Sequence, residues 1–215
     1  MVTRPRILLA DDHALVLEGL AKLVTEDCDL VGKVEDGRAL IQAAQKLEPD
    51  VIVLDISMPK LNGLDAARQL KKLLPSIKLI FLTMHADPLY AKEAFQIGAS
   101  GFLLKRSAAS ELMQAINAVM KGQYYVTPAI AKDFLSTFTQ EMPAPQDEAS
   151  SLTPRQREVL QLIAEGYSTK EMATILHVSP KTIEFHRAKI FRELNCQSTA
   201  ELTRYAITHG LVSPE

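Results

Sequence analysis

Cysteine is scarce: Cys28 and Cys196 are the only two in 215 residues, and they lie far apart in sequence. A disulfide framework is therefore not expected, and reduced, buried thiols fit better. No run of 18 apolar residues occurs, and no charged-then-apolar pattern opens the chain. These absences exclude a spanning helix and a secretory signal, so the expectation is a cytoplasmic chain without a membrane partner. An excess of one charge is also missing, since the net charge is only −2. Residues 151–215 hold 8 basic and 7 acidic side chains, against 16 and 19 in residues 1–150. That asymmetry is too mild to announce a nucleic-acid binder by itself. What is present is 47% hydrophobic residues, enough for a real core and for two domains.

The stretch Val51-Ile-Val-Leu-Asp-Ile-Ser-Met-Pro59 organises the first part of the chain. Three of its four leading apolar residues are β-branched, which suits a strand buried on both faces of a parallel sheet. Asp55 then falls at the strand's carboxyl end, where open α/β sheets carry their chemistry. It could equally cap the next helix, although Pro59, Asn62 and Gly63 mark a longer loop first. Other strands are expected at 6–10, 30–34, 78–83 and 101–104. Helices are expected at 14–25, 36–47, 64–74, from Asp87-Pro88 to Gly98, and from Ser107 to 121. Five strands alternating with five helices predict an α/β, flavodoxin-like, doubly wound five-stranded parallel sheet over residues 1–122.

Thr127-Pro128 opens a further helix at about 128–138. It lies inside a linker, residues 123–151, whose end (142–151) is polar and proline-bearing. Residues 152–215 predict a small all-α domain of four helices. Thr153-Pro154-Arg155-Gln156, Ser168-Thr169-Lys170-Glu171 and Ser198-Thr199-Ala200-Glu201 read as capping boxes, Ser179-Pro180 starts another helix, and Gly210 ends the last. The short connection His177-Val178-Ser179 fits a helix-turn-helix corner.

Unusual residues sit at the expected strand ends: Asp11 and Asp12, Asp55, Thr83 and Lys105. A parallel sheet gathers these ends on one edge. Three converging carboxylates repel unless a cation shares the site, and oxygen-only ligands favour Mg²⁺. A lysine and a threonine beside them suit phosphoryl oxygens. The set reads as an aspartate nucleophile that accepts a phosphoryl group. Helix caps plus a surface salt bridge would explain any single member but poorly explain all of them. A flavin-mononucleotide site on this architecture is disfavoured because Asp11-Asp12 would repel a phosphate. A phosphatase would need a second acid two residues after Asp55, where Ser57 stands, so an enzyme is not expected.

Residues 5–122 resemble the receiver domain of two-component response regulators. The matching elements are Ala-Asp-Asp at 10–12, Leu-Asp-Ile-Ser-Met-Pro at 54–59, Asn-Gly-Leu-Asp at 62–65, Leu-Thr-Met-His at 82–85 and Gly-Ala-Ser-Gly-Phe-Leu-Leu-Lys at 98–105. The resemblance implies that a sensor histidine kinase phosphorylates Asp55. It further implies that Asp11 and Asp12 organise Mg²⁺ with Asp55 and the backbone carbonyl of Ser57. Lys105 would pair with the phosphoryl group, the Thr83 hydroxyl would move toward it, and Phe102 would stand at the switch aromatic position. There are departures: Arg106 replaces the proline of many receivers, Phe102 has no hydroxyl, and Met84 stands where many have a small residue. Met84 is expected to screen the acyl phosphate partly from water.

In the third helix of the C-terminal part, Ile183, His186, Ile190 and Leu194 form one face, with His186 read as a core residue. Lys181, Glu184, Phe185, Ala188 and Arg192 form the other. Phe185 could meet a thymine methyl and Glu184 a cytosine amino group. Lys170, Lys181, Thr182, Arg187 and Lys189 would hold phosphates. A solvated charged face, or a helix-turn-helix serving protein interaction, are the competing readings. Residues 152–211 resemble the helix-turn-helix of the NarL/FixJ (LuxR-type) group, through Leu-Thr-Pro-Arg-Gln-Arg-Glu-Val-Leu at 152–160, Ala-Glu-Gly-Tyr-Ser-Thr-Lys-Glu-Met-Ala at 164–173 and Val-Ser-Pro-Lys-Thr-Ile-Glu-Phe-His-Arg at 178–187. Glu184 departs from the basic or small residue more usual there. The resemblance implies a transcription regulator that binds double-stranded promoter DNA and forms a homodimer on phosphorylation. Dimerisation would use the fourth helix through Thr199, Leu202, Thr203 and Ala206, and RNA polymerase is a further candidate partner.

Overall fold

The structure, a computed structural model, describes residues 4–84, 86–139 and 152–212. His85 and the polar 142–151 segment therefore fall outside the described residues. The chain divides into two compact units, the first made of residues 1–58 and 63–141 and the second of residues 59–62 and 142–215.

In the first unit the elements run β1 (Arg6–Ala10), α1 (Ala14–Thr25), β2 (Asp29–Val34), α2 (Gly37–Leu47), β3 (Val51–Leu54), α3 (Gly63–Leu73), β4 (Lys78–Thr83), α4 (Pro88–Ile97), β5 (Gly101–Leu104), α5 (Ala108–Met120), β6 (Tyr125–Val126) and α6 (Pro128–Thr139). All strand pairs are parallel, in the order β2-β1-β3-β4-β5-β6. The sheet thus has six strands, where five were expected. The sixth, Tyr125–Val126, is two residues long and too short to leave an alternation pattern. It forms because the chain leaving α5 runs beside β5, with Phe102 opposite Val126.

β3 lies between β1 and β4, and its four residues are all buried, as a run of apolar β-branched side chains requires. Ala10 pairs with Leu54, Leu54 with Phe81, and Thr83 with Leu104. This register brings the carboxyl ends of β1, β3, β4 and β5 level. One face of the sheet packs Ile7, Leu9, Val51, Val53, Ile80, Leu82 and Leu103 against Leu17, Leu20 and Val24 of α1 and Leu112, Ile116 and Val119 of α5. Burying each such side chain contributes about 1.5–3 kcal/mol.

Asp36 caps α2 by accepting from the Arg38 and Ala39 amides at 3.0 and 2.7 Å. Asp87 caps α4 with Pro88 in its first turn, and Gly98 ends that helix at φ +104°. Ser107 does not cap α5 with its side chain. It ends a 3₁₀ turn, Lys105–Ser107, and its own backbone is already helical, so its hydroxyl is not placed over the α5 amides.

The second unit packs α7 (Pro154–Ala164), α8 (Thr169–Ile175), α9 (Pro180–Glu193) and α10 (Thr199–Thr208) around Val159, Leu160, Leu162, Met172, Ile183, Ile190 and Leu202. Both partners of the capping box are present at Thr153/Gln156 and Ser168/Glu171. At α10 only half of the expected box forms. Ser198 accepts from the Glu201 amide, but the Glu201 carboxylate accepts from the Gln197 amide at 2.7 Å instead. The α8–α9 corner closes with His177 at φ +52° and the Val178 amide donating to Ala173 O. No helix among the described residues is long and apolar enough to cross a membrane.

Candidate functional site

The strand ends of the first unit converge as the sequence suggested. Lys105, just beyond β5, places Nζ 2.7 Å from Asp11 Oδ2 and 2.8 Å from Asp55 Oδ2. Asp11 and Asp55 are only 1% and 3% exposed, so one ammonium is shared by two buried carboxylates. The remaining oxygens are aimed by backbone donors: the Ile56 amide reaches Asp55 Oδ1 at 2.7 Å, and the His13 amide reaches Asp11 Oδ1 at 2.9 Å. Asp12 is the more exposed member of the acid pair. Thr83 and Phe102 are fully buried, Ser57 is half-buried, and Met84 projects into solvent at 72% exposure.

Burial raises the Asp55 carboxyl above its ordinary value and outweighs the pull of Lys105 in the other direction. Burial likewise works against the Lys105 charge, but Asp55 and Asp11 more than compensate, and its pKa is raised. The ammonium therefore stays charged and holds the Asp55 oxygen in place.

His13, which no motif in the sequence singles out, folds over the acid pair. Its Nδ1 lies 2.7 Å from Asp12 Oδ1 and 3.2 Å from Asp11 Oδ1. The signal was adjacency alone, because a histidine directly after an acid pair can fold back over it. The oxygens of Asp11, Asp12 and Asp55 and an imidazole nitrogen of His13 lie within 4.8 Å of one another. Three hard carboxylate donors this close fit Mg²⁺, with the imidazole as the one softer donor. Gly63, a loop signal in the sequence and part of the Asn-Gly-Leu-Asp element at 62–65, supports the site from behind. A Cβ there would stand 1.9 Å from the carbonyl oxygen of Asp55, so only glycine lets α3 start this close.

In the second unit, Lys181, Glu184, Phe185, Ala188 and Arg192 of α9 are exposed, as is Lys170 on α8. Thr182, Arg187 and Lys189 are half-buried, and the Thr182 hydroxyl lies 2.9 Å from Ser179 Oγ at the helix start. Phe185 is 57% exposed, and Lys189 Nζ sits 4.7 Å from its ring centre, a cation–π contact. His186 is half-buried rather than in the core, with its pKa lowered first by burial and then by Arg155 and Lys189.

The four residues expected to dimerise through α10 separate into two groups. Thr199 is exposed and Thr203 half-buried, but Leu202 and Ala206 are fully buried in this unit's own core. Those two cannot form an intermolecular surface. They recur on the side of α10 that packs on α7, and the sequence pattern could not say which neighbour covers an apolar stripe.

Residues 7–117 match the family model of the response regulator receiver domain, and residues 150–206 that of the bacterial regulatory proteins of the luxR family. The oxygen regulatory protein NreC of Staphylococcus carnosus is 34% identical, over 96% of this chain and 99% of its own. The transcriptional regulatory protein DegU of Brevibacillus brevis is 31% identical, over 96% and 94%. RcsB from Salmonella enterica serovar Typhimurium, solved bound to promoter P1flhDC in the presence of the phosphomimetic BeF3−, superposes with a TM-score of 0.60 at 29% identity, covering 96% of this chain and 100% of that one. A receiver fold carrying an acid pocket, joined to a LuxR-type helical domain, defines a transcription regulator and not an enzyme. The chain belongs to the two-component response regulators of the NarL/FixJ family.

Proposed function

We propose that Asp55 is the phosphoacceptor and that its phosphorylation by a sensor histidine kinase switches the helical domain's hold on promoter DNA. The observation that carries this is the pair of contacts from Lys105 Nζ to Asp11 and Asp55, at 2.7 and 2.8 Å, on a buried strand edge. An Asp55 oxygen attacks the phosphorus of the donor phosphohistidine. The bond from phosphorus to the imidazole nitrogen breaks, and an acyl phosphate forms. Asp11, Asp12, Asp55 and the Ser57 carbonyl would hold Mg²⁺, which would neutralise charge on the phosphoryl oxygens. Lys105 exchanges its Asp55 oxygen for a phosphoryl oxygen, and the Thr83 hydroxyl closes on the group from β4. Phe102, buried beside β4 and β6, repacks with Thr83. Met84, exposed beside Thr83, screens the acyl phosphate, and Met84→Ala should shorten its lifetime.

In this reading residues 1–122 are the receiver, 123–151 the linker and 152–215 the DNA-binding domain. The α9 face enters the major groove: Phe185 and Glu184 meet base edges, Ala188 gives close approach, and Lys170, Lys181, Thr182, Arg187, Lys189 and Arg192 hold phosphates. The RcsB structure, which contains both promoter DNA and a phosphomimetic, supports the pairing of the two sites. The phosphorylated protein pairs as a homodimer through the outward side of α10, with Thr199 and Thr203 joined by Ile207 in place of Leu202 and Ala206. It works in the cytoplasm and delivers its signal to RNA polymerase. The test is intact mass after incubation with acetyl phosphate and Mg²⁺. One phosphoryl group on the wild type and none on Asp55→Asn is expected. Equal labelling of both would refute the assignment.

A further inference from the structure

Thr127 was read from the sequence only as the residue that opens a helix, yet it is completely buried. Its hydroxyl donates to Glu111 Oε2 of α5 at 2.8 Å and accepts from the Leu104 amide of β5 at 3.1 Å. Its own amide donates to Phe102 O at 3.0 Å, and its carbonyl accepts from the Ile130 amide inside α6 at 3.0 Å. One residue thus joins the end of β5, α5 and the start of α6. Leu104 is the immediate neighbour of Lys105, whose Nζ bridges Asp11 and Asp55. Along its length α6 rests on α4, the helix that follows Thr83. Lys92 Nζ donates to Thr137 O at 3.1 Å, and the rings of Phe95 and Phe134 lie 5.1 Å apart.

We propose that Thr127 is the joint that couples the Lys105 end of β5 to α6, so that phosphorylation at Asp55 changes the stability of α6 through Leu104, Thr127 and Glu111. The inference rests on the reading of Asp55 as phosphoacceptor. A buried hydroxyl that satisfies a backbone donor and a carboxylate together has little freedom to adjust. If Lys105 moves onto a phosphoryl oxygen, the Leu104 amide moves with it. The hydroxyl must follow or lose a bond, and either outcome alters the first turn of α6. α6 is also the last described element of the first unit, so a change there is placed at the way out of the receiver.

The experiment is hydrogen exchange of residues 128–137 in the full chain, with and without acetyl phosphate and Mg²⁺. Intact mass records loading at Asp55. Wild-type α6 amides should change their exchange rate several-fold on phosphorylation. Thr127→Val, which keeps the shape and removes the hydroxyl, should take the phosphoryl group while its α6 response falls close to none. Thr127→Ser should restore the response, which a purely space-filling role would not require. A Thr127→Val protein that loads and responds like wild type would overturn the proposal. If wild type takes no phosphoryl group, the phosphoacceptor reading fails, and the joint is judged from Lys105→Met without phosphodonor. That substitution should shift α6 exchange in the wild-type background and not in Thr127→Val, and an equal shift in both overturns the joint.

Discussion

Gly63→Ala adds one methyl group where the backbone of the phosphoacceptor leaves no room. The new Cβ would stand 1.9 Å from the Asp55 carbonyl oxygen, 2.9 Å from its carbonyl carbon and 3.0 Å from Ile56 Cα. All three are backbone atoms, so no side chain can swing away. Reaching an ordinary contact distance requires α3 and the β3–α3 loop to separate by about 1.5 Å, which also strains the hydrogen bond from the Gly63 amide to Ile56 O at 2.7 Å. Overpacking of this kind costs about 1–3 kcal/mol. The gain from replacing glycine by alanine in a helix, about 0.5–1 kcal/mol, offsets only part of that. A shift of about 1 Å in a reacting group can lower a rate by about 10²-fold. Urea denaturation should therefore show a lower midpoint for Gly63→Ala. A mass-resolved time course with acetyl phosphate should show loading slowed by about one to two orders of magnitude. Wild-type stability together with a wild-type loading rate would refute the argument that the Asp55 backbone is held by this close approach.

Lys105→Met leaves Asp11 and Asp55 buried and facing each other without their shared cation. Thermal melting in chelator should fall below wild type, and Mg²⁺ should raise the midpoint more than it does for wild type; equal responses to Mg²⁺ would contradict this. Lys181→Ala and Lys189→Ala should each weaken promoter binding and lower the salt dependence by about one phosphate contact, measured by titration at several salt concentrations. The pKa of His186 is lowered in the folded state, so the unfolded chain binds the proton more readily. Its contribution is complete above the unfolded pKa of about 6.5 and is lost as pH falls below that value through the folded one. Melting between pH 8 and pH 5 should thus show a steeper acid loss for wild type than for His186→Gln, and parallel curves would remove His186 as the cause.

Local signals in the sequence determined most of the scaffold. The apolar run at 51–54, three of its four residues β-branched, pointed to a doubly covered strand, and all four are buried. Asp36, Asp87-Pro88, Thr153 and Ser168 set helix starts because a cap is decided by residues three or four apart. The positions of Asp11, Asp12, Asp55, Thr83 and Lys105 at strand ends were legible for the same reason, since a parallel sheet aligns its carboxyl ends whatever packs around them. What remained undecided depended on neighbours distant in the chain. β6 exists because β5 offers an edge to a two-residue segment with no pattern of its own. Leu202 and Ala206 carried an apolar stripe, but only the packing of α7 showed that their own unit covers it. Thr127 looked like an ordinary helix opener until Glu111 and Leu104 closed on its hydroxyl. Periodicity and capping are local and survive in the sequence. The partner of a buried polar group or an apolar face is chosen by contacts across the chain, and only the tertiary structure decides it.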